Sequence, residues 1–213
     1  MTVEAYLDHL IERYPVLEGQ KDHVRGMYEI LRDSYRNGGK LLIGGNGGSA
    51  SDAEHITGEL MKGFVKKRPV PEALRKSLCE ISPEIGEKLA DRIQMGLPTI
   101  ALDGHPALTT AFLNDVDGSL GFAQQVCGYG KAGDVFLGIS TSGNSGNVIS
   151  AAVMAKAMGM KVIGLLGRDG GKMLPLCDEA VVVPEQETYK IQELHLPVYH
   201  AVCLMLEEEF FDA

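Results

Sequence analysis

Hydrophobic residues recur every three or four positions in the N-terminal part of the chain. Leu7 and Ile11 belong to one such pattern, and Met27 and Leu31 belong to a second. This spacing places apolar side chains on one face of an α-helix, so it predicts two amphipathic helices within residues 1–37. The sequence RNGGK that follows contains the glycines that commonly end a helix.

Five short apolar runs follow these two helices. They read LLIG, PTIALD, DVFLGIS, KVIGLLG and EAVVVP. Glycine or polar residues come after each run, and most runs lead into a helical pattern. Short apolar strands that alternate with helices are typical of a parallel sheet covered on both faces. Ligands of such sheets lie beyond the carboxyl ends of the strands, so the loops after the runs are the candidate binding segments.

The composition favours one domain over residues 1–213 and argues against several classes of partner. A hydrophobic content of 45% is enough to fill a core, and a net charge of −9 opposes binding to a nucleic-acid backbone. The first residues, MTVEAYLDHLIERY, are acidic and helical in pattern, and no apolar run approaches the length of a membrane span. We therefore expect a cytoplasmic protein that binds neither nucleic acid nor membrane.

The cysteines are expected to be reduced thiols of the core. Cys79, Cys127, Cys177 and Cys203 are scattered and form no CxxC pair. Neither a disulfide framework nor a thiolate zinc site is expected from this spacing.

The loop after the first apolar run, GGNGGS, is rich in glycine. Glycines let the backbone approach a ligand, and the helix that follows would aim free N–H groups at it, so Asn46 and Gly47 are candidate binding residues. Gly45, Gly47 and Ala50 also fit the dinucleotide pattern G-x-G-x-x-[GA], which needs an acidic residue about 20 positions later. The next predicted strand ends at Asp103, far beyond that spacing. No nucleotide cofactor is expected.

A second loop, STSGNS, carries four hydroxyl groups at the start of a predicted helix. They belong to Ser140, Thr141, Ser142 and Ser145. Capping a helix uses one or two hydroxyls, whereas four hydroxyls and open N–H groups form a cradle for a phosphate ester. Neither a Walker lysine nor the nucleophile motif G-x-S-x-G is present, so the loop is expected to hold phosphate and not to cleave it.

Two further helical patterns carry acid, base and ligand side chains. His55 and Glu59 are four residues apart and share a helix face, an arrangement equally typical of a solvated pair. Gln192 and His200 are eight residues apart on the last pattern, about 12 Å of helix rise. They could share one ion only by reaching toward it from either side. The residue pattern leaves both structural and functional roles open.

Four segments in this order, GNGGSASDAEHITGEL, GDVFLGISTSGNSGNV, GLLGRDGGKM and KIQELH with a later histidine, identify a resemblance. They resemble the sugar isomerase (SIS) domain family, most closely its phosphoheptose isomerase branch. The resemblance implies a three-layer α-β-α sandwich with a five-stranded parallel sheet of flavodoxin-like type, assembled as a homotetramer. It also implies conversion of sedoheptulose 7-phosphate to D-glycero-D-manno-heptose 7-phosphate.

The resemblance implies a role for each matching residue. Glu59 matches the general base of the family and His200 its general acid. Zinc is found in some members, and its ligand positions match His55, Glu59, Gln192 and His200. The substrate and phosphate contacts match Asn46, Gly47, Ser49, Asn114, Asp115, Ser140, Thr141, Ser142, Ser145 and Gln192. An Asn-Asp pair before a glycine, as at Asn114, is also ordinary turn chemistry.

The implied chemistry agrees with the residue types. Interconversion of aldose and ketose through an enediol needs a base and an acid and no redox cofactor. Two alternatives remain open. Some relatives bind the bacterial replication initiator protein and have lost the acid and base positions, which this chain retains. The other is a sensor that binds a sugar phosphate without turnover.

The chain departs from the family pattern at two places. Residues 70–95 are inserted between an Arg-Pro dipeptide and GLPTIAL, and their apolar spacing predicts two short helices. Ser82 is the expected N-cap of the second and Pro83 its first residue. Relatives tend to place arginine four residues after the base, but this chain has Gly63 there. A substrate contact is therefore missing or differently supplied.

Overall fold

The computed structural model describes residues 1–212, in which five parallel strands form one sheet. Their bounds are β1 (Leu41–Gly44), β2 (Thr99–Ala101), β3 (Val135–Ser140), β4 (Lys161–Leu166) and β5 (Glu179–Val182). The strand order is β2-β1-β3-β4-β5, and every neighbouring pair is parallel. This is the flavodoxin-like order that the resemblance implied.

Nine α-helices accompany the strands in the described part of the chain. They are α1 (Val3–Arg13), α2 (Lys21–Arg36), α3 (Gly48–Met61), α4 (Glu72–Ile81), α5 (Pro83–Arg92), α6 (Pro106–Phe112), α7 (Gly121–Tyr129), α8 (Gly146–Ala157) and α9 (Thr188–Phe210). Three-residue-per-turn segments lie at Pro15–Gln20, Gly118–Leu120 and Gly171–Leu176, and a π-helical turn spans Leu113–Asp117. The two predicted N-terminal helices are confirmed.

Alternate residues of the strands face two separate apolar layers. Leu41 and Ile43 pack into a core with α1, α2, α3 and α9. Leu42, between them, faces the other core with α7 and α8, as does Phe136 of β3. Both faces of the sheet are covered, which explains why the strands read as continuous apolar runs. The prediction of a three-layer α-β-α sandwich is confirmed.

The inserted segment forms a helical hairpin, as predicted. Ser82 is the N-cap residue of α5 and Pro83 its first residue, although the Ser82 hydroxyl makes no capping hydrogen bond. Gly86 allows the helices to approach, because a Cβ there would overlap the Leu78 carbonyl. A bridge between Pro69 and Gln94 closes the base of the hairpin. The insert therefore leaves and rejoins the sheet domain at one point.

The cysteines differ in environment, so the prediction of four core thiols is wrong for Cys127 and for Cys79, which is half-buried on α4, a helix without buried residues. All four are free, and Cys203 is buried, whereas Cys127 on α7 is exposed. The core face of α7 is occupied by Ala123 and Val126, which leaves the side chain of Cys127 toward solvent. None of the helices within residues 1–212 is long and apolar enough to cross a membrane.

The long helix α9 continues through Pro197 and buries His195 completely. The His195 Nε2 atom lies 3.0 Å from the Leu166 carbonyl oxygen, and its Nδ1 atom is buried without a hydrogen-bond partner. A protonated ring would be charged in the core, so burial lowers the pKa of His195 from 6.5 to about 4. This histidine is a neutral core residue.

Stability should therefore fall in acid because of His195. As the pH drops below 6.5, His195 becomes protonated in the unfolded chain, whereas in the folded chain it stays neutral down to about pH 4. The loss over this window is about 3 kcal/mol. His195→Gln keeps an N–H donor for Leu166 and removes the titration, so urea unfolding at several pH values should give a flatter curve. Equal slopes in both proteins would contradict the assignment.

Candidate active site

The glycine loop connects β1 to α3 in a conformation that requires glycine. Gly47 precedes the helix with φ 57° and ψ −121°, a backbone region closed to residues with a Cβ. Ser49, on the first turn of α3, is buried. Gln192 of α9 packs so closely on Gly48 that a Cβ there would overlap its amide. The amino end of α3 is thus open on one side and held by α9 on the other.

The serine loop follows β3 and lies beside the glycine loop. The amides of Asn46 and Asn147 exchange two hydrogen bonds, of 2.9 and 2.8 Å, which join the loops. Asn46 and Asn147 also line a cavity of about 280 Å³ that includes Gly47 and Asp103. As predicted from the sheet type, both loops lie at the carboxyl ends of the strands.

The hydroxyls of the serine loop are only partly engaged in the local turn. Ser140 Oγ lies 3.0 Å from Ser145 Oγ, and Ser142 Oγ accepts a 3.2 Å hydrogen bond from the Asn144 N–H. Ser145 is the N-cap residue of α8, but its side chain caps no N–H group of that helix. Thr141 is half-buried beside them. The turn therefore leaves hydroxyls and a helix N-terminus available to an anion.

The acid and base candidates meet where α3 packs along α9. His55 Nε2 lies 3.3 Å from Glu59 Oε1. The rings of His55 and His200 are edge to face, with centroids 5.0 Å apart. Tyr199 joins the group from α9, because its hydroxyl lies 3.0 Å from His55 Nδ1 and donates to Asp52 at 3.2 Å. The structure therefore brings His55, Glu59 and His200 into one cluster.

Electrostatics in this cluster keep the His200 imidazole neutral. Burial, followed by the nearby His55, lowers the pKa of His200, and the Glu59 carboxylate only partly opposes this. Its Nε2 atom is buried and has no hydrogen-bond partner. Burial and the Asp52 carboxylate raise the pKa of Tyr199, so its hydroxyl stays protonated. A neutral imidazole with a free ring nitrogen can donate or accept a proton at a substrate oxygen.

A lysine is the cation that lies beside Glu59. Lys62 Nζ lies 3.2 Å from Glu59 Oε2. Gly63, at the position where relatives tend to have arginine, donates its N–H to the Gln94 side chain of the insert at 3.0 Å. A Cβ on Gly63 would overlap both Gln94 and the Lys66 carbonyl. The insert and the glycine are thus linked departures from the family pattern.

Three predicted site residues lie apart from the cluster. Asn114 and Asp115 are exposed on the π-helical turn, where the Asn114 amide donates to Asp115 at 2.8 Å. Gln192 lies beside Gly48, which is seven residues, or about 10 Å of helix rise, from His55. The contacts of these three residues within the chain do not test their predicted roles, which stay predictions.

Of the four predicted zinc ligands, His55, Glu59 and His200 lie together, and Gln192 lies apart from them. Residues 1–212 contain no group of three or more His, Cys, Asp or Glu side chains placed to hold a metal ion. His55 faces Glu59, whereas Gln192 of α9 packs on Gly48 at the amino end of α3. Zinc stays a prediction.

Comparison with known proteins decides the family. The SIS domain family model matches residues 76–167. Phosphoheptose isomerase from a Nitratiruptor species is 39% identical over 204 residues, which cover 96% of this chain and 95% of that protein. Phosphoheptose isomerase from Aneurinibacillus thermoaerophilus is 41% identical over 177 residues, covering 83% and 76%. The chain belongs to the phosphoheptose isomerase family.

Solved structures agree with this assignment. Phosphoheptose isomerase GmhA from Neisseria gonorrhoeae is 32% identical and superposes with a TM-score of 0.74 over 96% of each chain. Phosphoheptose isomerase from Francisella tularensis is 29% identical and gives 0.75 over 97% of this chain and 96% of that one. Membership of the family and its fold, both predicted from motifs, are confirmed.

The structure of this phosphoheptose isomerase family member also shows residues that the sequence prediction missed. The Tyr199 hydroxyl contacts His55 and is itself bound to Asp52, and Asn147 joins the two loops. Asp52 lies three residues before His55 on the same helix face, which is a signal that spacing could have given. Tyr199 has no such signal, since its contact depends on how α9 packs on α3.

Proposed function

We propose that this protein is an aldose-ketose isomerase that converts sedoheptulose 7-phosphate to D-glycero-D-manno-heptose 7-phosphate. The observation that carries the proposal is the cluster in which α3 supplies Glu59 and α9 supplies His200, with His55 between them. The names of the similar proteins support the substrate, since those proteins are phosphoheptose isomerases.

The serine loop and the acid-base cluster would bind opposite ends of the substrate. In a heptose 7-phosphate the reacting carbons C1 and C2 are at the end of the chain opposite to the phosphate. The hydroxyls of the serine loop and the amino end of α8 would receive the phosphate. The reacting carbons would lie at the cluster, further along α3 from the glycine loop. Gln192, whose amide packs on Gly48, would contact the sugar hydroxyls between these two regions.

The proposed reaction has two steps, and each step involves two proton transfers. Glu59 removes the proton from C1 of the ketose, while His200 gives a proton to the carbonyl oxygen on C2, which forms an enediol. Glu59 then returns its proton to C2, and His200 takes the proton from the oxygen on C1, which forms the aldehyde. Lys62 Nζ, 3.2 Å from Glu59 Oε2, is the cation next to this carboxyl group.

We further propose a homotetramer in the cytoplasm, with zinc as an added ligand of the site. These proposals rest on the family resemblance, and His55, Glu59 and His200 are the three predicted ligands that lie together. Light scattering should give about four times the chain mass of 23.0 kDa. Metal analysis of the purified protein, with His55→Ala as the comparison, tests the zinc.

The function is tested by supplying sedoheptulose 7-phosphate and following the aldose product by NMR. Turnover is expected, and pentulose and hexulose phosphates serve as controls for chain length. A sensor would instead bind the ketose, as seen by calorimetry, and return it unchanged. Absence of product from every five- to seven-carbon ketose phosphate, with and without added zinc, would refute the enzyme proposal.

A further inference from the structure

We propose that the buried ion pair between Arg68 and Glu207 is a positioning device that fixes the general base, Glu59, relative to His200. The pair touches no predicted substrate position, so both members are positioning residues. The inference rests on the proposed function for its kinetic effect, but its structural effect can be measured independently.

Glu207 fastens the segment after α3 to α9. Its carboxylate, which is 1% exposed, accepts hydrogen bonds from the N–H groups of Phe64 at 2.8 Å, Val65 at 2.9 Å and Lys66 at 3.1 Å. It also receives the Arg68 Nε–H at 3.0 Å. Burial by itself would raise the pKa of Glu207, but these donors lower it overall, so the group is held as a carboxylate.

Arg68 closes the carboxyl end of α3. Its Nη1 donates to the Leu60 carbonyl at 2.7 Å, and its Nη2 donates to the Glu59 carbonyl at 3.1 Å. The last carbonyls of a helix lack partners within the helix, and here a buried guanidinium satisfies two of them. One of those two belongs to the general base itself. The position of the Glu59 main chain therefore depends directly on this side chain.

The pair also fixes α3 against α9 along their shared length. Glu207 lies seven residues, or two helical turns, after His200 on α9. A contact that joins Glu207 to the end of α3 therefore sets how far α3 can slide past the acid. The Phe211 ring stacks on Arg68, with its centroid 4.3 Å from the guanidinium carbon, and limits rotation of the guanidinium group.

Stability alone is a weak reason for a buried ion pair at this place. Removing two charges from water costs much of what their attraction returns, and apolar pairs of similar volume are often as stable. A geometric role explains the specific choice better, since a guanidinium can donate to a carboxylate and two carbonyls at once. The insert also holds the main chain of Arg68, because the Met95 N–H donates to the Arg68 carbonyl at 2.7 Å.

The test compares Glu207→Gln with a matched control, Asp134→Asn. Asp134 is also a fully buried carboxylate that pairs with a cation, Lys40, and accepts two N–H bonds, but it lies at the amino ends of β1 and β3. Glu207→Gln should lower kcat by about 10- to 100-fold, since small misplacement of a catalytic group has effects of this size. KM should stay unchanged, because the phosphate loop contacts neither Arg68 nor Glu207. Asp134→Asn should change neither.

Hydrogen exchange measured by mass spectrometry provides the second readout. Exchange in the peptide 56–68 should rise in Glu207→Gln and remain at the wild-type level in Asp134→Asn. If Glu207→Gln fails to fold, Arg68→Lys, which keeps the charge and loses the guanidinium group, takes its place in both measurements. Equal kcat in the two variants, or unchanged exchange in 56–68, would overturn the proposal. If the wild-type protein shows no turnover, the proposed function fails, and the exchange result alone decides the positioning claim.

Discussion

Glu59→Gln is expected to lower kcat by about 10²- to 10⁴-fold, which is the usual contribution of a general base. The amide keeps the shape of the side chain and its place beside His55 and Lys62, but it cannot accept a proton from carbon. The phosphate loops are far from the change, so binding of the sugar phosphate should remain within about twofold. Steady-state kinetics and isothermal calorimetry on the same preparation measure the two quantities separately.

Glu54→Gln is the matched control for this variant. Glu54 is an exposed carboxylate on the same helix, five residues nearer the amino end. Its replacement should leave kcat and binding at wild-type values. If Glu59→Gln retains wild-type turnover, Glu59 is not the base. If it loses binding as much as turnover, its role is in holding substrate.

Gly143→Ala is expected to have the largest effect on the serine loop and on stability. Gly143 has φ +63°, and a Cβ there would overlap the carbonyl group of Gly170 in the turn after β4. The backbone conformation costs about 1–2 kcal/mol for a residue with a Cβ, and the overlap adds about 1–3 kcal/mol. Relief of the overlap must shift the loop, so KM for the sugar phosphate should rise together with the loss of stability.

Gly133→Ala separates the two causes. Gly133 also has a positive φ, of +89°, but a Cβ there would meet no atom within 4 Å. Urea unfolding should therefore show only the conformational cost in this variant, and KM should be unchanged because Gly133 is remote from the ligand loops. An equal loss of stability in Gly133→Ala and Gly143→Ala would mean that the close approach to Gly170 contributes nothing.

The sequence predicted the elements of this fold well, because each depends on local spacing. The continuous apolar runs gave both the strands and their burial on two faces, and Ser82 with Pro83 marked the start of α5. The family motifs then supplied the order of the strands in the sheet. Periodicity alone could not have supplied that order, since it carries no information on which strands are neighbours.

The site was less predictable, because it is made by packing between distant segments. Tyr199 reaches His55 across 144 positions, and Glu207 reaches Phe64 across 143. No local pattern in the sequence marks either partner. The prediction that Cys127 lies in the core failed for a related reason, since α7 is short and its buried face is filled by other side chains. Residue type showed which chemistry was available, and only the fold showed which groups meet.

Solvent deuterium tests the proposed proton transfer most directly. The wild-type protein would be left with sedoheptulose 7-phosphate in deuterated water until the ketose and aldose have interconverted many times. Deuterium should accumulate at C2 of the aldose and at C1 of the ketose, because the proton held by Glu59 exchanges with solvent between transfers, and Glu59→Gln should add no label. Interconversion without deuterium at either carbon would indicate direct hydride transfer and would contradict an enediol formed by Glu59 and His200.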